Sequence, residues 1–182
     1  GIRNNGKWHR MMDHQPRRLP VFEPVDRLLV ETPMLEDSPS LYKWNGVEYS
    51  AGDAVSCKGL GYEGKAVMLE KNKELSFDFD ECPGDSVEVE IRLLPNHPIH
   101  GGQLRFSVSI DKKNVQTVSY ETQGRSEEWK ENVLRNQAIR TVKLPVSKRK
   151  SHKLVIKALD EGVVLDQIML CLLYTSDAAD EA

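Results

Sequence analysis

The sequence predicts an all-β domain, an antiparallel β-sandwich of jelly-roll-like kind with an extended segment at its N-terminal side. Three observations carry this. Apolar and polar residues alternate over short runs between Ser86 and Leu165, and period-two alternation leaves one face buried and the other wet, as in antiparallel sheets. The runs follow one another at short spacing and are broken by turn residues, which is the pattern of a sandwich. Hydrophobic residues make up 39% of the 182 positions. That fills one sandwich core but not a catalytic barrel as well, which takes about 250 residues.

Taken in order, residues 1–18 are rich in cations and histidines, with Trp8, Met11 and Met12 among them. Lys7, His9, Arg10, His14, Arg17 and Arg18 suit a solvated stretch, or an anionic partner. His9 and His14 lie five apart without a third ligand nearby, so no metal site is expected. Pro16, Pro20, Pro24, Pro33 and Pro39 predict an extended course over 19–40, with Leu28, Leu29 and Val30 as a short strand or edge packing. Tyr42 to Tyr49 reads as a turn at Asn45-Gly46 beside strand-forming residues. Tyr42 and Trp44 form an aromatic pair at period two, either a carbohydrate platform or edge-strand packing on the core.

Gly59, Gly61 and Gly64 superficially resemble a phosphate loop. No helix follows them, so the phosphate reading fails, and positive φ with close backbone approach is expected instead. Ala66–Leu69 and Glu74–Phe79 read as strands, the second with Leu75, Phe77 and Phe79 facing in. Asp78, Asp80, Glu81 and Asp85 surround a Pro83-Gly84 turn without calcium-loop spacing. Ser86–Leu94 and Gln103–Asp111 are the clearest alternating runs. Between them, Leu94 to Gly102 sets His97 and His100 three apart among prolines and glycines, a loop able to present imidazoles to a ligand or to use them for backbone bonds.

Asp111 to Asn114 reads as a hairpin turn returning through Val115, Val118 and Tyr120. Trp129 to Asn136 reads as a helical turn with Trp129, Asn132 or Val133, and Asn136 on one face. Trp129 either plugs the end of the sandwich or, beside the two amides, suits a sugar ring. The last strands carry Ile139, Val142 and Leu144, then Leu154, Ile156 and Ala158, then Val163 and Leu165.

The net charge is −3 with both signs mixed along the chain, which argues for neither nucleic acid nor an anionic membrane. No apolar run approaches the roughly 18 residues of a spanning helix. The chain starts at Gly1 without an initiator methionine or signal peptide, so it reads as starting inside a longer protein. Cys57 and Cys82 make no disulfide framework and are expected as free thiols.

Leu94-Pro-Asn-His-Pro-Ile-His-Gly-Gly-Gln-Leu-Arg-Phe-Ser-Val-Ser-Ile-Asp111, then Trp129-Lys-Glu-Asn-Val-Leu-Arg-Asn136, then Gly162-Val-Val-Leu-Asp-Gln-Ile168 together resemble the C-terminal domain of glycoside hydrolase family 115. The resemblance extends upstream through Gly59-Leu-Gly-Tyr-Glu-Gly-Lys-Ala66 and to Gly6-Lys-Trp-His-Arg-Met-Met-Asp13. It implies a xylan α-glucuronidase whose catalytic region lies upstream, a junction over 1–40, and a sandwich domain over 41–170. Cys171 to Glu181 resembles a translated sequencing-library adaptor, so 171–182 is set aside from the fold.

Glycosidases of the common kind hold two carboxyls across the scissile bond, and no such pair stands out here. The fragment is therefore expected to be non-catalytic and to need no cofactor. Tyr42, Trp44, His97, His100 and Trp129 are the candidate carbohydrate-binding residues. The partners implied are the upstream catalytic domain, a xylan-derived oligosaccharide and a second copy of the chain, with no nucleic acid and no membrane. An independent carbohydrate-binding module and a ligand-free structural module are the alternatives. The family resemblance implies a periplasmic or extracellular setting.

Overall fold

In chain order the strands are β1 (Ile2–Asn4), β2 (Lys7–His9), β3 (Leu41–Asn45), β4 (Ala54–Lys58), β5 (Lys65–Leu69), β6 (Glu74–Asp80), β7 (Ser86–Leu93), β8 (Arg105–Ile110), β9 (Lys113–Ser119), β10 (Ala138–Pro145), β11 (Ser151–Ala158) and β12 (Val163–Leu173), with the helix α1 (Glu127–Leu134) between β9 and β10. This is a computed structural model that describes residues 2–4, 7–9, 41–49, 54–82 and 84–173. The extended course expected over 19–40, with its strand at Leu28–Val30, lies outside the described residues, as does everything beyond Leu173. Among the described residues no helix is long and apolar enough to cross a membrane.

Contacts divide the chain into two units, Gly1–Ser38 and Pro39–Ala182. Within the first, β1 and β2 pair antiparallel with Ile2 opposite His9. Asn5-Gly6 stands between these strands in the sequence, a hairpin signal that the composition of this stretch had masked.

The second unit holds two sheets. One runs β10-β7-β12-β5-β4, with β3 also paired to β12, and the other runs β6-β11-β8-β9. The alternating runs supply the buried faces of these two sheets. Val87, Val89, Ile91 and Leu93 of β7 are each 0% exposed, while Glu88 between them faces out. Leu75, Phe77 and Phe79 of β6 face in as expected, with Ser76 and Asp78 exposed. Burying a leucine- or isoleucine-sized side chain stabilises by roughly 2 kcal/mol, so a register slip that turned either strand over would forfeit most of the core. The β8–β9 turn at Asp111 and Lys112 has φ of +52° and +57°, the two left-handed residues a tight hairpin of this twist requires.

The strand β12 is the spine. Along one edge it pairs with β7 over nearly its whole length. Along the other it pairs first with β5, through Val163–Leu165, and then with β3, through Gln167–Cys171. Between these two partners the ladder to β7 shifts register at Leu165/Gln167, leaving Asp166 as the extra residue of a β-bulge. The inward set accordingly changes parity, from Val163 and Leu165 to Ile168, Leu170 and Leu172, all in the core. Leu172 is 4% exposed, so the strand expected to close at Leu170 continues to Leu173.

Trp129 is not the core plug of the sequence reading. It sits half-buried on α1, whose buried residue is Asn132. Tyr120, 2% exposed, is the large aromatic side chain in the core on this side, its ring 6.3 Å from that of Phe106.

Candidate functional site

Four of the five candidate residues form two pairs. On β3, Tyr42 and Trp44 stack with centroids 6.1 Å apart and planes 18° from parallel. Strand alternation points both toward the second sheet, where Trp44 packs 4.8 Å from Phe77 and Tyr42 packs 6.0 Å, edge-on, from Phe79. The Tyr42 hydroxyl donates to Asp80 Oδ2 and accepts from the Asp80 N–H, both at 3.2 Å. Tyr42 thus ties β3 to β6 across the open side of the sandwich. Trp44 does more than pack: it lines a groove of about 480 Å³ between those two edge strands, with Lys43, Asn45, Glu48, Ser76 and Asp78. That volume lies within the range of small-ligand sites, and an aromatic wall among amide, hydroxyl and carboxylate groups suits a sugar ring. A second hollow of about 440 Å³, lined by Tyr49, Ser56, Lys58 and Lys65, shares Glu48 with this groove.

The other pair lies on the loop after β7 and on α1. His97 stacks on Trp129 at 5.9 Å and 14°, and it is exposed while Trp129 is half-buried. Ser126 caps α1 by accepting the Trp129 N–H at 3.2 Å, which positions the indole. Asn96 holds the loop. Asn96 Nδ2 donates to the Gly162 carbonyl at 2.8 Å. The Tyr120 hydroxyl lies 3.1 Å from Asn96 Oδ1 and 3.2 Å from that carbonyl, and it accepts the Val164 N–H at 3.2 Å. Burial pushes the Tyr120 phenol well above its usual value. His100 lies in a single helical turn, Ile99–Gly101, and its side chain falls outside the described residues. Among those residues no ring contact joins the Tyr42–Trp44 pair to the His97–Trp129 pair.

The sequence reading missed a polar network at the bulge. Asp166 and Gln167 are 1% and 6% exposed. The Tyr62 N–H donates to Asp166 Oδ1 at 2.5 Å. The Gln137 amide donates to Asp166 Oδ2 at 3.3 Å and to Gln167 Oε1 at 2.8 Å. Gln167 Nε2 donates in turn to Asn45 Oδ1 at 2.9 Å, so the network reaches the groove beside Trp44. Gly61 makes room for it: a Cβ there would stand 2.3 Å from Asp166 Oδ1. The parity change of the apolar residues in Val163–Leu172 was the available signal.

Other carboxylates also serve the fold. A hydrogen bond from the Arg105 guanidinium holds Asp160 below the usual carboxylate range, with Nε to Oδ2 at 2.8 Å. Burial alone would raise Asp111, but hydrogen bonds from His152 and from the Lys153 N–H outweigh it and leave its carboxyl lowered. His152 Nδ1 donates to Asp111 Oδ2 at 2.9 Å. Among the described residues no three His, Cys, Asp or Glu side chains gather as a metal site, and Cys57, Cys82 and Cys171 are free. The arrangement offers ring stacking and hydrogen bonding.

The model of the glycosyl hydrolase family 115 C-terminal domain matches residues 48–176. Among solved structures, the family GH115 4-O-methyl-α-glucuronidase BtGH115A, with specificity for decorated arabinogalactans, is 60% identical with a TM-score of 0.68, covering 72% of this chain and 17% of that one. The C-terminal CBM6 of LamC, a laminarinase from Zobellia galactanivorans, has a TM-score of 0.51 at 14% identity, over 72% of this chain and 98% of that one. The CBM35 from Cellvibrio japonicus Abf62 has a TM-score of 0.52 at 15% identity, over 75% of this chain and 95% of that one. These last two likenesses establish the sandwich fold. No curated protein sequence matches the chain. The chain belongs to glycosyl hydrolase family 115 and carries that family's C-terminal β-sandwich domain.

Proposed function

We propose that this domain is the non-catalytic ancillary part of an α-glucuronidase that removes (4-O-methyl)glucuronic acid from a plant polysaccharide. In this reading it packs on the catalytic region of its own chain and offers the Trp44 groove to the polymer. The observation that carries the reading is the 60% identity to a family GH115 4-O-methyl-α-glucuronidase. The groove supports the sugar contact, because Trp44 lines it among Asn45, Glu48, Ser76 and Asp78. The family resemblance implies xylan as the polymer, and the relative's specificity for decorated arabinogalactans adds a second polymer to test.

Calorimetric titration of glucuronic-acid-bearing xylan and arabinogalactan fragments into the chain tests this. Binding that is lost in Trp44→Ala and kept in Trp129→Ala supports the groove. The reverse pattern moves the contact to the His97–Trp129 pair. Absence of binding to both polymers refutes the sugar contact and leaves packing on the catalytic region as the domain's role. An independent binding module would hold the polymer as tightly without its catalytic region as with it.

A further inference from the structure

Lys58 and Lys65 stand directly opposite each other at the turn end of the β4–β5 hairpin. Like charges in that position repel and weaken a sheet. Neither lysine packs into the core, since both are exposed. Both line the 440 Å³ hollow, together with Tyr49, Ser56 and Glu48. Lys65 has Glu63 at 3.0 Å, but that pair is solvent-exposed, with 62% and 60% of the two side chains accessible. The Lys58 side chain has no hydrogen-bond or ion-pair partner among the described residues. Buried Val47, 3% exposed, and Gly46 help form the hollow. A Cβ on Gly46 would stand 2.9 Å from Lys65 Cβ. Tyr49 is 38% exposed and forms one wall.

An anion between the two ammonium groups would turn their repulsion into two charge-assisted hydrogen bonds. The remaining groups are those of a sugar site: a ring to stack on, the Ser56 hydroxyl, and the Glu48 carboxylate to accept from sugar hydroxyls. Glu48 also lines the Trp44 groove, so a chain lying in that groove can place a side group in the hollow. We infer that the hollow is a uronic-acid subsite: Lys58 and Lys65 bind the carboxylate, Tyr49 packs on the sugar face, and Glu48 with Ser56 bonds its hydroxyls. This rests on the sugar-contact reading above and adds the acidic side group to it.

The test titrates the full 182-residue chain with a glucuronic-acid-bearing oligosaccharide and with the same oligosaccharide lacking the acid. The acid-bearing form is expected to bind about tenfold tighter, the equivalent of about 1.4 kcal/mol. That preference should vanish in Lys58→Met and Lys65→Met, persist in Lys58→Arg, and shrink as salt rises. Each variant must keep the parent's unfolding transition, which exposed positions allow, and the arginine variant retains the charge should methionine disturb the hairpin. Equal binding of the two sugars, unchanged by the methionine variants, would overturn the subsite and leave the Trp44 groove standing. Absence of binding to either sugar would overturn both readings. Binding of inorganic phosphate at the lysines without binding of glucuronate would identify a plain anion site and overturn the sugar assignment.

Discussion

Gly61→Ala tests whether the bulge network holds the β4–β5 turn against β12. Gly61 has φ +72° and ψ −161°, a region essentially confined to glycine, and forcing another residue there costs about 1–3 kcal/mol. The added methyl would also stand 2.3 Å from Asp166 Oδ1 and 2.9 Å from Ala66 Cβ. The carboxylate must then give up the Tyr62 N–H it accepts at 2.5 Å, and a hydrogen bond to a charged group is worth about 1.5–3 kcal/mol. Together these reach about 3–5 kcal/mol, a large share of the roughly 5–15 kcal/mol that holds a domain folded. With a urea slope of about 1.5–2 kcal/mol/M, the unfolding midpoint should fall by about 2 M.

The assay is equilibrium urea unfolding of the parent, Gly61→Ala, Asp166→Ala and the double variant. In the Asp166→Ala background the clash with the carboxylate is gone and the backbone strain and the Ala66 contact remain, so the two substitutions should couple by about 2 kcal/mol. A loss under about 1 kcal/mol for Gly61→Ala, or additivity of the two substitutions within about 0.5 kcal/mol, would refute the close approach on which the argument rests.

Tyr120→Phe removes the hydroxyl that serves Asn96, Gly162 and Val164. It should cost about 1–3 kcal/mol through the buried groups left unpaired, read as a lower urea midpoint, together with faster amide exchange at Val164. Ser126→Ala removes the cap on the Trp129 N–H and should cost about 1 kcal/mol, with a measurable change in Trp129 fluorescence as α1 loosens. The lowered carboxyl of Asp111 contributes stability that is fully present above its unfolded pKa and is lost as pH falls through its folded one. Acid unfolding should therefore steepen below the ordinary carboxylate range. Asp111→Asn should flatten that part of the stability–pH curve, and an unchanged curve would show that the His152 pair contributes nothing.

Local pattern was enough to predict the sandwich. Alternation in Ser86–Leu93, Glu74–Asp80 and Ser151–Ala158 states which side chains face in, and each strand does so in the structure. Turn chemistry was equally legible: Gly59, Gly61 and Gly64 have positive φ, as does Asp111 at the hairpin. These are properties of neighbours in the chain, where the pleat and the allowed backbone regions are the only physics required. Family membership was legible too, because it rests on residue identities.

Tertiary structure decided everything that depends on which strand lies beside which. Trp44 and Asp78 are far apart in the chain and meet only because β3 and β6 are the edges of two facing sheets. Trp129 could not be placed from an eight-residue helix whose one buried side chain is Asn132. Asp166 looked like an ordinary polar residue in a strand. Only the register shift against β7, and the division of its other edge between β5 and β3, turned it into a buried acceptor for Tyr62 and Gln137. Lys58 and Lys65, seven positions apart in the chain, became one charged wall because hairpin register set them opposite each other. Periodicity fixes the face a residue occupies, but register and sheet order fix its neighbours, and the contacts that set them join strands far apart in the sequence.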